Sequence, residues 1–332
     1  PYAGLASSKT VSRPSGGGVI TIYHEPHWTG EVRFVEEALT LPLRWRRPRR
    51  IFVNSMSDLF HERVPNNTIA KIFGVMALAL RHVFQILTKR PERRLAWFNE
   101  YAGSVADGPL TRCYLEAQDT IGVVNIPSGN NLGDVWPLPN VWHGVSVEDQ
   151  PTADERIPLL LQTPAAVRWV SYEPALGPVD FSRFLTVRDS DNPLAGSEHS
   201  RTDGDVPSAR VAALGQQRPR CDKSTGHGQR DQEAERRAVR NSLDWLVVGG
   251  ESGPGARPCD LAWIRSAIAQ CRAAGVPVFC KQIGAMPFSW AEESTTGWQQ
   301  DRDLWRPTKL RDRHGGDPAE WPADLRVREF PR

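Results

Sequence analysis

Short apolar runs rich in Val, Ile, Phe and Trp alternate along this chain with polar clusters and with longer stretches of helical period. That cycle argues for parallel strands joined by crossover helices. Residues 51–54, 83–87, 141–147, 167–170, 243–248 and 276–280 read as strands. Between them the pattern predicts a helix over about 68–80, with Asn67 or Thr68 as its cap, and another opening at Pro91 and running through Leu95 and Phe98. A helix over 153–161 carries Pro158, which suggests a bend or break, and one over 260–274 has an apolar stripe of Leu261, Ile264 and Ile268 and stops at Gly275.

Residues 101–136 read as a loop-like insertion. Residues 188–241 are polar, rich in Gly, Ser and Arg and without apolar periodicity, and read as a mobile surface insertion, with a substrate-gripping lid as the alternative. After Gly284 the cycle is lost. The expected organisation is a lead-in over 1–50, an α/β barrel over 51–284 and a Trp-rich tail over 285–332 that packs on the barrel.

Composition narrows the class. The 332 residues are 39% hydrophobic and 24% charged, as for a globular protein with one large core. No apolar run approaches the roughly 18 residues of a membrane span, and the opening PYAGLASSKTVSRPSGGG has no secretory core, so the expected compartment is the cytoplasm. A net charge of +2 argues against a polyanion-binding tail, so a nucleic-acid surface would have to be local. Five widely spaced cysteines fit reduced thiols better than a disulfide framework, and most of the twelve tryptophans read as core.

The candidate chemistry gathers where the strands end. Ligands of parallel α/β sheets bind outside the carboxyl ends of the strands. There this chain places Asn54, Ser55, Ser57, Asp58, Lys89, Ser146, Glu148, Glu173, Gly249, Gly250, Glu251 and Lys281. Charges in such a position must be paired or face a ligand, so a ring of structural salt bridges is the competing reading. The run Gly249-Gly250-Glu251-Ser252-Gly253 reads as a cofactor shelf whose N–H groups could cradle an anion, although it lacks P-loop spacing. Arg46, Arg47, Arg49 and Arg50, beside Trp45, could track a phosphate backbone. His24-Glu25-Pro26-His27 has no third ligand, the cysteines match no compact cluster motif, and no GxSxG elbow is present, so no metal site is expected.

The blocks RRIFVNSMSDLFHE, FQILTKRPER, WPLPNVWHGVSVEDQ, RWVSYEPALGPVD and DWLVVGGESGPGARP resemble the phage gene-product-37/gene-product-68 family, a domain of unknown function related to radical SAM proteins. The resemblance implies a partial TIM-like barrel of the radical SAM type that acts with S-adenosylmethionine, a [4Fe-4S] cluster and an electron donor. Asn54, Ser55, Ser57, Asp58, Ser146, Glu148, Gly249 and Gly250 would then line the cofactor, and Lys89, Glu173, Glu251 and Lys281 would position substrate or move a proton. The CxxxCxxC loop of such proteins is absent from these residues, and the first strand is missing with it. The expectation is therefore a truncated or degenerate chain that assembles no cluster itself, with a nucleic acid or nucleotide as the plausible substrate and no membrane partner. The competing functions are a non-catalytic nucleic-acid-binding protein using the arginine face and, last, a metal-independent hydrolase.

Overall fold

A computed structural model describes residues 32, 34–55, 57–101, 109–122, 136–186, 242–290 and 305–331. Six parallel strands form one sheet in the order β1 (Arg50–Val53), β2 (Val83–Thr88), β3 (Val141–Val147), β4 (Val167–Tyr172), β5 (Trp245–Gly249) and β7 (Val278–Gln282). A second, three-stranded sheet joins β6 (Cys259–Asp260), β8 (Pro287–Trp290) and β9 (Trp305–Pro307). Two short helical turns, α1 (Glu36–Leu39) and α2 (Leu41–Arg44), precede β1.

The large sheet is curled into a half-barrel. In a flat sheet, strands about 4.8 Å apart would put β1 and β4 about 14 Å from each other. Here Phe52 of β1 meets Trp169 of β4 edge-on with ring centroids 6.3 Å apart. Alternation then sorts each strand into two faces. Inward-pointing Trp142, Trp169, Trp245 and Val247 form a core of their own, while Val145, Val170, Leu246 and Val248 point outward into the core shared with the helices.

Those helices are α3 (Asn66–Leu78), α4 (Pro91–Ala96), α5 (Pro109–Ile121), α6 (Gln150–Gln162) and α7 (Leu261–Ala273). Helix α3 begins two residues before the sequence suggests and has Pro65, not Asn67 or Thr68, at its N-cap. Helix α5 lies inside the segment read as a loop and packs on α3, where a Cβ added at Gly74 would stand 2.7 Å from Ala117 Cβ. Helix α6 runs through Pro158 without interruption. Pro158 is on the exposed face, where water can satisfy the carbonyl that loses its helical partner. The start of α6 is fixed by a capping box in which Asp149 accepts from Thr152 N at 3.0 Å and Thr152 Oγ1 accepts from Asp149 N at 3.1 Å.

The chain end returns to the sheet. Residues 327–330 run beside β7, with Cys280 N donating to Val327 O at 2.8 Å and Glu329 N to Val278 O at 3.0 Å. Phe330 then packs on Phe279 and Trp245, at centroid distances of 5.1 and 5.4 Å, under the Arg50 guanidinium at 3.9 Å. Its ring touches residues of both sheet edges and closes the half-barrel at the strand-start end. The segment 188–241 and the histidines at 24 and 27 lie outside the described residues. Among the described residues, no helix is long and apolar enough to cross a membrane.

Candidate functional site at the mouth of the half-barrel

Strand register builds a cavity of about 1260 Å³ on the concave face. Gly144 of β3 sits between Leu87 and Trp169, and Trp169 pairs in turn with Trp245. A Cβ at Gly144 would be 2.7 Å from Trp169 Cδ2 and 2.8 Å from Nε1, so the missing side chain is what lets the indole lie across β3. One layer higher, Ser146 and Ser171 face each other on adjacent strands, followed by Val247 and Phe279. The two serines, small side chains beside the Trp169 and Trp245 rings, leave room for a ligand.

Charged groups stand around the rim in three connected sets. Asp58 accepts from Phe60 N at 2.9 Å, Thr88 Oγ1 at 2.8 Å, Lys89 N at 3.1 Å and Arg90 Nη1 at 3.2 Å, which ties the loop after β1 to the end of β2. Glu148 receives Lys89 Nζ at 2.6 Å and Arg156 Nη1 at 3.0 Å, the latter from α6 and also bonded to Ser146 O at 2.9 Å. Glu173 receives Lys281 Nζ at 3.1 Å and Gln282 Nε2 at 2.7 Å. In both lysine pairs the acidic side chain is the sheltered partner, 12% and 13% exposed, while each lysine side chain is 58% exposed and able to turn toward a ligand.

Of the residues singled out in the sequence, Asn54, Ser55, Ser57, Asp58, Lys89, Ser146, Glu173 and Lys281 line this one cavity. Glu148 stands behind Lys89. Glu251 turns away to Arg257, which donates through Nε at 2.7 Å and its backbone N at 2.9 Å and holds the carboxyl below its ordinary range. Gly249 and Gly250 are packed under the chain after β7: a Cβ would be 2.9 Å from Gln282 O at Gly249 and 2.8 Å from Ile283 C at Gly250. Gly250 N is already bonded to Gln282 O at 3.1 Å, so close backbone approach accounts for both glycines and neither lines the cavity.

Arg46, Arg47, Arg49 and Arg50 are exposed at the start of β1, the opposite end from the rim. Arg49 stacks over Trp45 at 4.6 Å and Arg50 over Phe330. The sequence reading missed the floor, Phe52, Trp169, Trp245, Phe279 and Phe330, because aromatic residues in strands read as core. The signal was present in the alternation Trp142-x-Gly144-x-Ser146 and Trp169-x-Ser171, where inward positions shrink toward the strand ends.

On the outer face of β3 lies a buried cationic group. Arg94 is fully buried, donates through Nη1 to Gly144 O at 2.9 Å, and is pushed down to about 9 by loss of water. His143, stacked on Phe73 at 5.8 Å, is driven well below its ordinary value by burial and then by Arg94 and Arg168. Cys113, Cys259, Cys271 and Cys280 are buried, and desolvation pushes each thiol up to about 12. Cys221 lies outside the described residues, among which no group of three or more His, Cys, Asp or Glu could hold a metal ion.

Residues 6–308 match the model of a family described as a protein of unknown function, DUF5131. No curated protein and no solved structure matches the chain.

Proposed function

Since the chain belongs to this family of unknown function, its chemistry has to be sought in the mouth itself, and we propose that the mouth binds S-adenosylmethionine as the cofactor wall of a radical-SAM-type enzyme. The observation that carries the reading is the rim of carboxylate and ammonium groups over a concave parallel sheet, Asp58, Lys89 with Glu148, and Lys281 with Glu173. A ligand with an amino-acid end needs both signs within reach, and the strand-end blocks carrying Asp58, Lys89, Glu148 and Glu173 are among those that resemble the radical-SAM-related family.

The donor set fits S-adenosylmethionine. Asp58, Ser55 and Ser57 face its methionyl end and Ser146 its ribose or amino groups, with Glu148 acting through Lys89, which it holds at 2.6 Å. Glu173 and Lys281, joined at 3.1 Å, hold or move a proton on the substrate side. Bound there, S-adenosylmethionine supplies a sulfonium whose one-electron cleavage is the chemistry the resemblance implies. The described residues do not fit the iron–sulfur cluster, because their four cysteines are buried in the core as thiols and stand away from the cavity lining.

Calorimetric titration with S-adenosylmethionine tests the reading on this chain. Saturable binding is expected, weakened in Asp58→Asn and Lys281→Ala. Absence of heat at millimolar ligand, with the protein folded by circular dichroism, overturns it.

A further inference from the structure

The cavity is larger than one cofactor requires. At about 1260 Å³ it exceeds the roughly 300–1,000 Å³ of ordinary small-molecule sites. Below the charged rim two neutral polar groups have no partner. Asn54, 8% exposed, has neither amide atom hydrogen-bonded, and Trp169, 2% exposed, has an unbonded Nε1–H. Both residues line the cavity, and Asn54 comes two places after Phe52, whose ring meets that of Trp169 at 6.3 Å.

Backbone conformation accounts for only part of this. Asn54 has φ 59, and its carbonyl accepts from Ser57 N at 3.0 Å in the turn that leaves β1. Asn tolerates that left-handed region, but glycine would serve there without burying an amide. An unsatisfied buried amide costs about 1–3 kcal/mol. The side chain is therefore a charge-neutral donor and acceptor held at a destabilising position beside an aromatic floor.

We propose that this inner part of the cavity is a second binding site, for the neutral planar heterocycle of a substrate, with Asn54 pairing to its donor–acceptor edge and Trp169 donating through Nε1. A carboxamide presents one donor and one acceptor in a plane, the pattern that matches the edge of a nucleobase. The Trp169 and Trp245 rings, 5.5 Å apart, supply the apolar surface against which such a ring packs. The ligand sits with its ring down and its charged or sugar end toward Lys89 and Lys281. The inference rests on the mouth being a small-molecule site and adds the substrate class to it.

The test is a set of calorimetric titrations with adenosine, guanosine, cytidine and uridine, each with and without saturating S-adenosylmethionine. One nucleoside is expected to bind with the cofactor present. Asn54→Gly, which suits the positive φ, should weaken it by about tenfold or more while leaving the melting temperature unchanged or higher. Asn54→Asp, which keeps the acceptor and loses the donor, should change which nucleoside is preferred. Binding of none of the four, unchanged affinity in Asn54→Gly, or adenosine that S-adenosylmethionine simply displaces overturns the proposal. S-adenosylmethionine binding with no nucleoside binding sinks this inference alone. Nucleoside binding without S-adenosylmethionine binding supports it and sinks the cofactor reading.

Discussion

Adding one methyl group at Gly144 should break the floor of the cavity. The new Cβ of Gly144→Ala would lie 2.7 Å from Trp169 Cδ2, whereas carbon atoms pack best at about 3.5–4.0 Å, so the indole must retreat by about 1 Å. It has little room to do so. Trp169 is 2% exposed and is held by Trp245 at 5.5 Å and Phe52 at 6.3 Å. Overpacking of this kind costs about 1–3 kcal/mol, and the expected loss is toward the upper end because the neighbour is a fixed ring. Urea denaturation measures the loss, and the near-ultraviolet circular dichroism of the tryptophan cluster should change with it. Trp169→Leu in the same chain should relieve the clash, giving a coupling of about 0.5–3 kcal/mol in a double-mutant cycle. A Gly144→Ala protein with the parental midpoint and spectrum would refute the packing of Trp169 across β3.

Further expectations concern the rim and the buried groups. Asp58→Asn keeps the shape but weakens bonds from Thr88, Lys89 and Arg90, and should lower stability by about 1–2 kcal/mol in the same denaturation assay. His143 is held neutral, its folded value lying below the unfolded one, so the unfolded chain gains a proton first as pH falls. Its contribution is therefore complete above about pH 6.5 and is lost below it, with a slope of at most about 1.4 kcal/mol per pH unit. His143→Phe should remove that one-proton slope from a pH series of denaturation curves. Cys113, Cys259, Cys271 and Cys280 should ignore a thiol reagent at pH 8 until the protein is unfolded, since burial raises all of them. Because Arg46 and Arg47 stand at the far end of β1, replacing both with alanine should leave S-adenosylmethionine affinity within about twofold by calorimetry, as expected for distant, independent sites.

The central strands were legible because burial on both faces produces continuous apolar runs, and the strand over residues 141–147 has the bounds its sequence suggests. Helix α5 was not, although Leu110, Cys113, Tyr114, Ala117 and Ile121 recur at helical spacing, because a Gly- and Asn-rich stretch beside it dominated the reading. Pro158 shows the reverse error, a local breaker overridden where its lost bond faces water. The charged strand ends could be named in advance from the rule that ligands meet parallel strands at their carboxyl ends. What each one touches could not. Glu251 and Glu173 look alike in sequence, yet one is bound by Arg257 six residues on and the other by Lys281 from a distant strand. The floor depends on Gly144 and Trp169 being paired in register, a tertiary fact that neither residue announces alone.

A crystal of this chain soaked with S-adenosylmethionine gives the most direct test of the mouth as a cofactor wall. The account predicts density within the concave face, with the amino-acid end among Asp58, Ser55 and Ser57 and the Lys89 and Lys281 side chains turned toward the ligand. An empty mouth at saturating ligand, or density only on the outer helices or at the arginine-rich start of β1, would contradict it.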